Sequence, residues 1–246
     1  MKGIILAAGY ATRLYPLTEN QPKALLPVGG KPIINYILSE IETIPAIDEV
    51  VVVTNHKFAS HFDEWAKNQT TRLKLTVLDD NTTDDTNKLG AVGDISFVID
   101  ALKIDDELLI VAGDNIFTFS LKDYYDYYKK MDADCILVKE LENESDLIRM
   151  ANVKTDENGK VTFMVEKPNP PISHLAAFAS CIYKKDTVPM IKQYLNEGNN
   201  PDAPGFFPSW LYEKKPLYAY TFKGECYDIG THESYKEVCE IFKELC

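Results

Sequence analysis

The sequence predicts an α/β fold with a largely parallel sheet, and three observations carry that prediction. Short β-branched runs such as EVVVVT, residues 49–54, are bounded by polar residues, the signature of strands buried on both faces. Such runs alternate with amphipathic helical patterns, as in a sheet built from strand–helix–strand units. From Cys135 the texture shifts to shorter strands separated by turn signals such as Glu157-Asn158-Gly159, which suits antiparallel hairpins.

In chain order, Ile4, Ile5 and Leu6 form an apolar strand that stops at the small residues Ala7, Ala8 and Gly9. A strand ending this way lets a ligand approach the backbone, and Thr12, Arg13 and Lys23 beyond it suit an anion. Residues 2–33 therefore read as a nucleoside-triphosphate site. Pro32 opens a helical pattern with Ile33, Ile34, Tyr36, Ile37 and Ile41 on one side. Residues 49–54 are a strand, 58–67 a helix and 73–78 a strand. The acidic run DDNTTDDTN, residues 79–87, reads as a polar loop. A helix over 89–102 starts at Gly90, where the missing side chain admits either a ligand or a tightly packed neighbour.

Residues 107–117 form a second apolar strand ending in Gly113, Asp114 and Asn115. A carboxylate beyond a strand's C-terminal end is a candidate metal ligand in an open α/β sheet, and equally a turn former. The tyrosines of the helix at 120–130 are read as packing. Strands follow at 135–140, 152–154, 161–165 and 177–183. Glu166 and Lys167 stand between them, pinned by prolines; on an extended strand they point to opposite faces, and they serve one site only if the strand runs past it edgewise or twists at the proline. A helix at 186–195, a loop, a strand at 217–222 and Asp228 precede a last helix with Tyr235, Val238, Cys239, Phe242 and Leu245 on one side and Thr231 as its N-cap. No repeat, low-complexity tract or long linker divides the chain.

Composition excludes several classes. Hydrophobic residues make up 45% and charged residues 26% of 246, which excludes disorder and fibrous folds. No apolar stretch approaches the roughly 18–20 residues of a membrane span, and no basic start leads to a cleavage site, so a soluble cytoplasmic protein is expected. The net charge of -12 argues against nucleic acid or anionic lipid as a partner. Residues 10–32 are the local exception, with Arg13, Lys23 and Lys31 against Glu19. The five cysteines are scattered without a CxxC, and the four histidines form no metal pair; His56 and His61 are five apart.

Together, LAAGYATRLYPLTENQPKALLPVGGKPI, AGDNIF, VEKP and YDIGTH resemble, in order and across nearly the whole chain, the landmarks of the sugar-phosphate nucleotidyltransferases. The resemblance is strongest to short members of the glucose-1-phosphate thymidylyltransferase type. It implies a Rossmann-like mixed sheet within one domain, with a nucleotide-binding core over 1–134 and a sugar-phosphate portion and closing helix over 135–246. It implies that Leu6, Ala7, Ala8, Gly9, Ala11, Thr12 and Gly90 bind nucleotide, that Arg13 and Lys23 act on the phosphates, that Glu166 and Lys167 hold the sugar phosphate, and that Asp114 and Asp228 bind Mg²⁺. The chain departs from the family pattern at Ala11, where glycine is usual, and at Ala151 and Ser180 in the sugar pocket. Asn81 is the nearest counterpart of the base-reading glutamine. The chain stops about one helix after Asp228, so the terminal assembly and regulatory elements of longer relatives are expected to be missing.

The expected reaction joins a sugar 1-phosphate to a nucleoside triphosphate, dTTP or UTP favoured, and releases pyrophosphate. One rival reading is a cytidylyltransferase acting on phosphocholine, with Phe206, Trp210 and Tyr212 forming an aromatic cage for the quaternary ammonium. Another is a nucleotide-binding regulator without turnover. A glycosyltransferase using Asp79, Asp80 and Asn81 is weaker than either. The oligomeric state is not legible.

Overall fold

A computed structural model of the chain describes residues 1–243. Leu245, expected on the last helix, and Cys246 lie outside the described residues. Strand β1 (Lys2–Leu6) buries Ile4 and Ile5 completely. Two single 3-10 turns, Thr12–Leu14 and Lys23–Leu25, lead to a small hairpin of β2 (Pro27–Val28) and β3 (Lys31–Pro32). In α1 (Ile33–Glu42) the buried residues are Ile33, Ile34, Ile37, Leu38 and Ile41, a stripe at helical spacing. Pro32 stands just before it, where no intrahelical N–H is needed. Next come β4 (Glu49–Thr54), buried from Val50 onward, α2 (Ala59–Lys67) and β5 (Lys74–Asp79).

Helix α3 (Ala91–Leu102) precedes β6 (Leu108–Ala112), and the expected strand over 107–117 breaks at Gly113-Asp114 before resuming as β7 (Asn115–Phe117). The tyrosine-rich α4 (Leu121–Met131) follows. The chain then forms β8 (Asp134–Glu140), the short α5 (Glu144–Leu147), β9 (Ala151–Thr155), β10 (Val161–Val165) and β11 (Leu175–Tyr183). Helices α6 (Val188–Asn196) and α7 (Phe206–Leu211), strands β12 (Leu217–Thr221) and β13 (Cys226–Asp228), and helix α8 (His232–Lys243) complete it.

The class is the α/β class expected, with a mixed sheet flanked by helices. Strands β4 and β5 pair in parallel, as do β8 and β12. Strand β9 pairs antiparallel with β10 and β11, and β11 antiparallel with β8, the hairpin texture read after Cys135. No helix among the described residues is long and apolar enough to cross a membrane.

The described residues form two compact units, neither continuous in sequence. One takes Gly3–Lys88, Val111–Lys122 and the chain from Gly224; the other takes Met1–Lys2, Leu89–Ile110 and Asp123–Lys223. Each therefore draws residues from both sides of position 134. In the first unit, Leu14, Leu26, Val28 and Ile33 share one apolar cluster with Ile116, Ile229, Val238 and Phe242. The opening loop is thus packed on β7, β13 and α8. In the second unit the tyrosines of α4 serve packing. Tyr124 is buried, stacks on Tyr220 and donates to the Cys135 carbonyl at 2.8 Å, while Tyr128 donates to Glu107 at 2.6 Å.

Candidate functional site

In the first unit the C-terminal end of β1 is fixed by its neighbours. Ala7 N–H donates to the Val53 carbonyl at 2.9 Å, and Asn55 Nδ2 donates to the Ala8 carbonyl at 2.9 Å. Leu6 and Ala7 are half-buried and Ala8 buried, whereas Gly9 is exposed and a Cβ there would meet no atom within 4 Å. The open side of the turn is the face a ligand needs. Ala11 follows in the left-handed conformation, φ 48 and ψ 40. Its carbonyl accepts from Leu14 N–H at 3.0 Å and from the Thr18 hydroxyl at 2.8 Å, which pins the turn carrying Thr12 and Arg13.

Lys23, Asp114 and Asp228 meet in the same unit. Gly113 brings the end of β6 against β1: its N–H donates to the Leu6 carbonyl at 2.8 Å, and a Cβ would stand 2.9 Å from that oxygen. Antiparallel pairing of β13 with β7 sets Asp228 opposite Asn115, next to Asp114, and Ile229 N–H donates to the Asp114 carbonyl at 3.3 Å. Lys23 Nζ lies 2.8 Å from Asp114 Oδ2 and 3.9 Å from Asp228 Oδ1, so one cation lies between two carboxylates. Asp228 is 68% exposed at its side chain, yet protein lies close around it. Its carboxyl pKa is raised, first by that partial desolvation and then by the Asp114 charge, against the pull of Lys23 and Arg13.

Two carboxylates side by side, the Asp228 carboxyl with its pKa raised, form a set that a hard cation would satisfy. The described residues contain no cluster of three or more His, Cys, Asp or Glu. A two-carboxylate site fits Mg²⁺, which keeps waters and substrate oxygens, better than metals that need an all-protein cage.

Asn81 and Gly90 have local roles. Asn81 is exposed at φ 63 in the loop after β5, where its N–H donates to Asp79 Oδ1 at 2.7 Å. His56 pairs with the same Asp79, Nδ1 to Oδ2 at 2.6 Å. Gly90 belongs to the second unit, at φ 80, and a Cβ there would stand 2.6 Å from the Pro201 carbonyl oxygen and 2.7 Å from Asp202 Cα. The first amides of α3 are also taken, Ala91 N–H by the Asp202 carbonyl and Val92 N–H by the Pro201 carbonyl, each at 2.9 Å. Of the two readings of that glycine, chain packing accounts for it fully on this side.

The second unit also carries Glu166 and Lys167. The structure departs here from the extended geometry that would send them to opposite faces. Lys167 takes a left-handed backbone, φ 49, and its Nζ comes 3.7 Å from Glu166 Oε1. The side chain of Glu166 is only 6% exposed, that of Lys167 50%. Burial pushes the Glu166 carboxyl pKa up against the opposing charge of Lys167. Ala151 is buried and close to Glu166, and Ser180 is buried with no hydrogen-bond partner for its Oγ among the described residues.

A sequence model of the nucleotidyl transferase family matches residues 2–244. The chain belongs to that family. It is 31% identical over 249 aligned positions to the glucose-1-phosphate adenylyltransferase of Geobacillus stearothermophilus, covering 94% of this chain and 63% of that one. It is 29% identical over 178 to the UTP–glucose-1-phosphate uridylyltransferase AglF of Haloferax volcanii, covering 71% and 68%. Against the bifunctional protein GlmU of Methanocaldococcus jannaschii it is 32% identical over 187, covering 76% and 40%. The chain thus spans about 40 to 68% of the length of these relatives. The fold matches a UDP-glucose pyrophosphorylase solved with UDP-glucose at a TM-score of 0.83 and 22% identity, covering 100% of this chain and 99% of that one.

Within this member of the family, two of the three aromatic residues of the cage in the phosphocholine reading, Trp210 and Tyr212, are otherwise engaged. The Trp210 ring stacks on Phe207 at 5.8 Å, meets Tyr194 edge-on and carries the Lys214 ammonium 4.7 Å from its centroid; its Nε1 donates to Glu197. Tyr212 hydrogen-bonds Glu213. Sequence reasoning did not anticipate the direct Lys23–Asp114 pair, nor the supports Asn55 and Gly113. Asn55 and Gly113 carry a readable signal, since each follows the last apolar residues of a strand, where the open end of an α/β sheet holds ligands.

Proposed function

We propose that the protein joins a sugar 1-phosphate to a nucleoside triphosphate and releases pyrophosphate, giving a nucleotide-sugar. The observation that carries this reading is the convergence of Lys23, Asp114 and Asp228, with Gly113 holding Asp114 next to the end of β1. The family membership supports the reaction class. dTTP or UTP is the favoured nucleotide, supported by the uridylyl relative and the UDP-glucose neighbour.

An oxygen of the sugar phosphate attacks the α-phosphorus; the new P–O bond forms as the bond to the β-phosphate oxygen breaks, and pyrophosphate carries away the electron pair. The attacking oxygen is already anionic near neutral pH, so no general base or covalent nucleophile is required. What the protein must offset is repulsion between polyanions. Arg13 and Lys23 neutralise charge on the triphosphate and its leaving group, the backbone from Leu6 to Thr12 takes the nucleoside, with Asn81 toward the base, and Glu166 and Lys167 take the sugar hydroxyls and the phosphate of the acceptor. Asp114 and Asp228 would hold Mg²⁺, which when bound supplies positive charge to phosphate oxygens. Lys23, between the two carboxylates, offsets their mutual repulsion.

The test is a pyrophosphate-release assay over a matrix of four triphosphates, several sugar 1-phosphates and phosphocholine, with Mg²⁺ or EDTA. Turnover is expected with a sugar 1-phosphate, Mg²⁺ and dTTP or UTP. Asp114→Ala and Asp228→Ala should each lower kcat on the order of 10²- to 10³-fold. Near-parental Mg²⁺-dependent release by either variant would remove the metal assignment, and turnover of phosphocholine alone would replace the sugar reading.

A further inference from the structure

We infer that Gly205 is a positioning residue for the acceptor, because the absence of a side chain there lets the Glu166 carboxylate reach its buried place. The inference deepens the proposed function and rests on it, since the acceptor role of Glu166 belongs to that reading. Gly205 stands immediately before α7 with φ -78, a backbone any residue adopts, so glycine is not needed for conformation. It is needed for space. A Cβ at 205 would overlap Glu166 Oε2 and come within 3.0 Å of Glu166 Cδ and of the Ala151 methyl.

The backbone on the Gly205 side cannot withdraw to make room. The Gly205 carbonyl accepts from Ser209 N–H at 3.1 Å and from the Ser209 hydroxyl at 2.7 Å. The preceding carbonyls of Pro201 and Asp202 hold the first amides of α3 at 2.9 Å, and Tyr194 donates to the Asn200 carbonyl at 2.6 Å. The other partner of the overlap is the tip of a flexible side chain, so Glu166 is what yields. Ala151 closes a further direction, and its methyl makes the space at 205 more stringent. Size at 151 and absence of size at 205 therefore set together where the carboxylate sits.

The experiment compares Gly205→Ala, Glu166→Ala and the double variant. Gly205→Ala should raise the acceptor's KM about tenfold or more, the worth of one charge-assisted hydrogen bond, and leave the triphosphate's KM within about twofold. In the Glu166→Ala background, where the Glu166 atoms are gone and only the 3.0 Å approach to the Ala151 methyl remains, the same substitution should change neither KM further and should move the thermal midpoint by no more than about 2 °C. A parental acceptor KM in Gly205→Ala overturns the proposal. So does an equal loss, in KM or midpoint, with and without Glu166, because that marks a merely structural glycine. If Gly205→Ala alone does not fold, the double variant decides: a folded one supports the overlap and an unfolded one overturns it. A parental acceptor KM in Glu166→Ala removes the acceptor role of Glu166 and this proposal with it, an outcome distinct from the failure of Gly205→Ala alone.

Discussion

Ala11 holds a backbone conformation, φ 48 and ψ 40, that ordinarily selects glycine. A left-handed alanine costs about 1 kcal/mol, which the two hydrogen bonds to its carbonyl sustain. Ala11→Gly should relieve that strain, less the entropy glycine adds to the unfolded chain, for a net gain of about 0.5 kcal/mol in urea unfolding. A loss of stability instead would show that the alanine methyl, packed against the apolar cluster, outweighs the strain. The family resemblance pointed at this position; its handedness was not legible, because the chain carries no glycine there. At Lys167 more was legible. Alternation along a strand separates it from Glu166; a twist at the proline is one way to reunite them, and the left-handed backbone of Lys167, directly before Pro168, supplies it.

At the scale of elements, long runs with clear periodicity were legible and short ones were not. The strand over 49–54 and the helices α1, α3 and α8 follow from apolar spacing. The 3-10 turns, β2, β3, α5, α7 and β13 are too short to show a period. Strand β13 matters most among them, since its register places Asp228 by Asp114, a pairing that no spacing in sequence reveals. The expected N-cap of α8 is present: Ser234 N–H donates to Thr231 Oγ1 at 3.1 Å, while Thr231 N–H donates to Ser234 Oγ at 3.0 Å. Thr231→Ala should cost about 1 kcal/mol in thermal or urea unfolding. Unchanged stability would mean that Ser234 alone closes the helix.

Across the whole molecule, the acceptor role proposed for Glu166 sets function against stability there. Its folded pKa lies above the ordinary 4.5, so the folded state disfavours its ionised form. The stability that this group contributes is fully present below about pH 4.5 and is lost as pH rises through the raised value. Glu166→Gln, uncharged at every pH, should therefore unfold about 2–4 °C higher than the parent at pH 7 and show no advantage at pH 4, while losing acceptor binding. An equal shift at both pH values would assign the effect to packing instead of charge. The discontinuous make-up of both units was outside the reach of sequence reasoning, since contiguity is what composition and texture report.

The apolar cluster that joins Leu14 and Leu26 to Val238 and Phe242 also orders events in time. Leu14 leaves the ribosome more than two hundred residues before Phe242. At roughly 5–20 residues per second, the loop that carries Arg13 and Lys23 waits on the order of 10 to 50 seconds for the helix that seats it. Strand β1 and helix α1 emerge well before α8, and the cations of the loop acquire their fixed places only once α8 has followed.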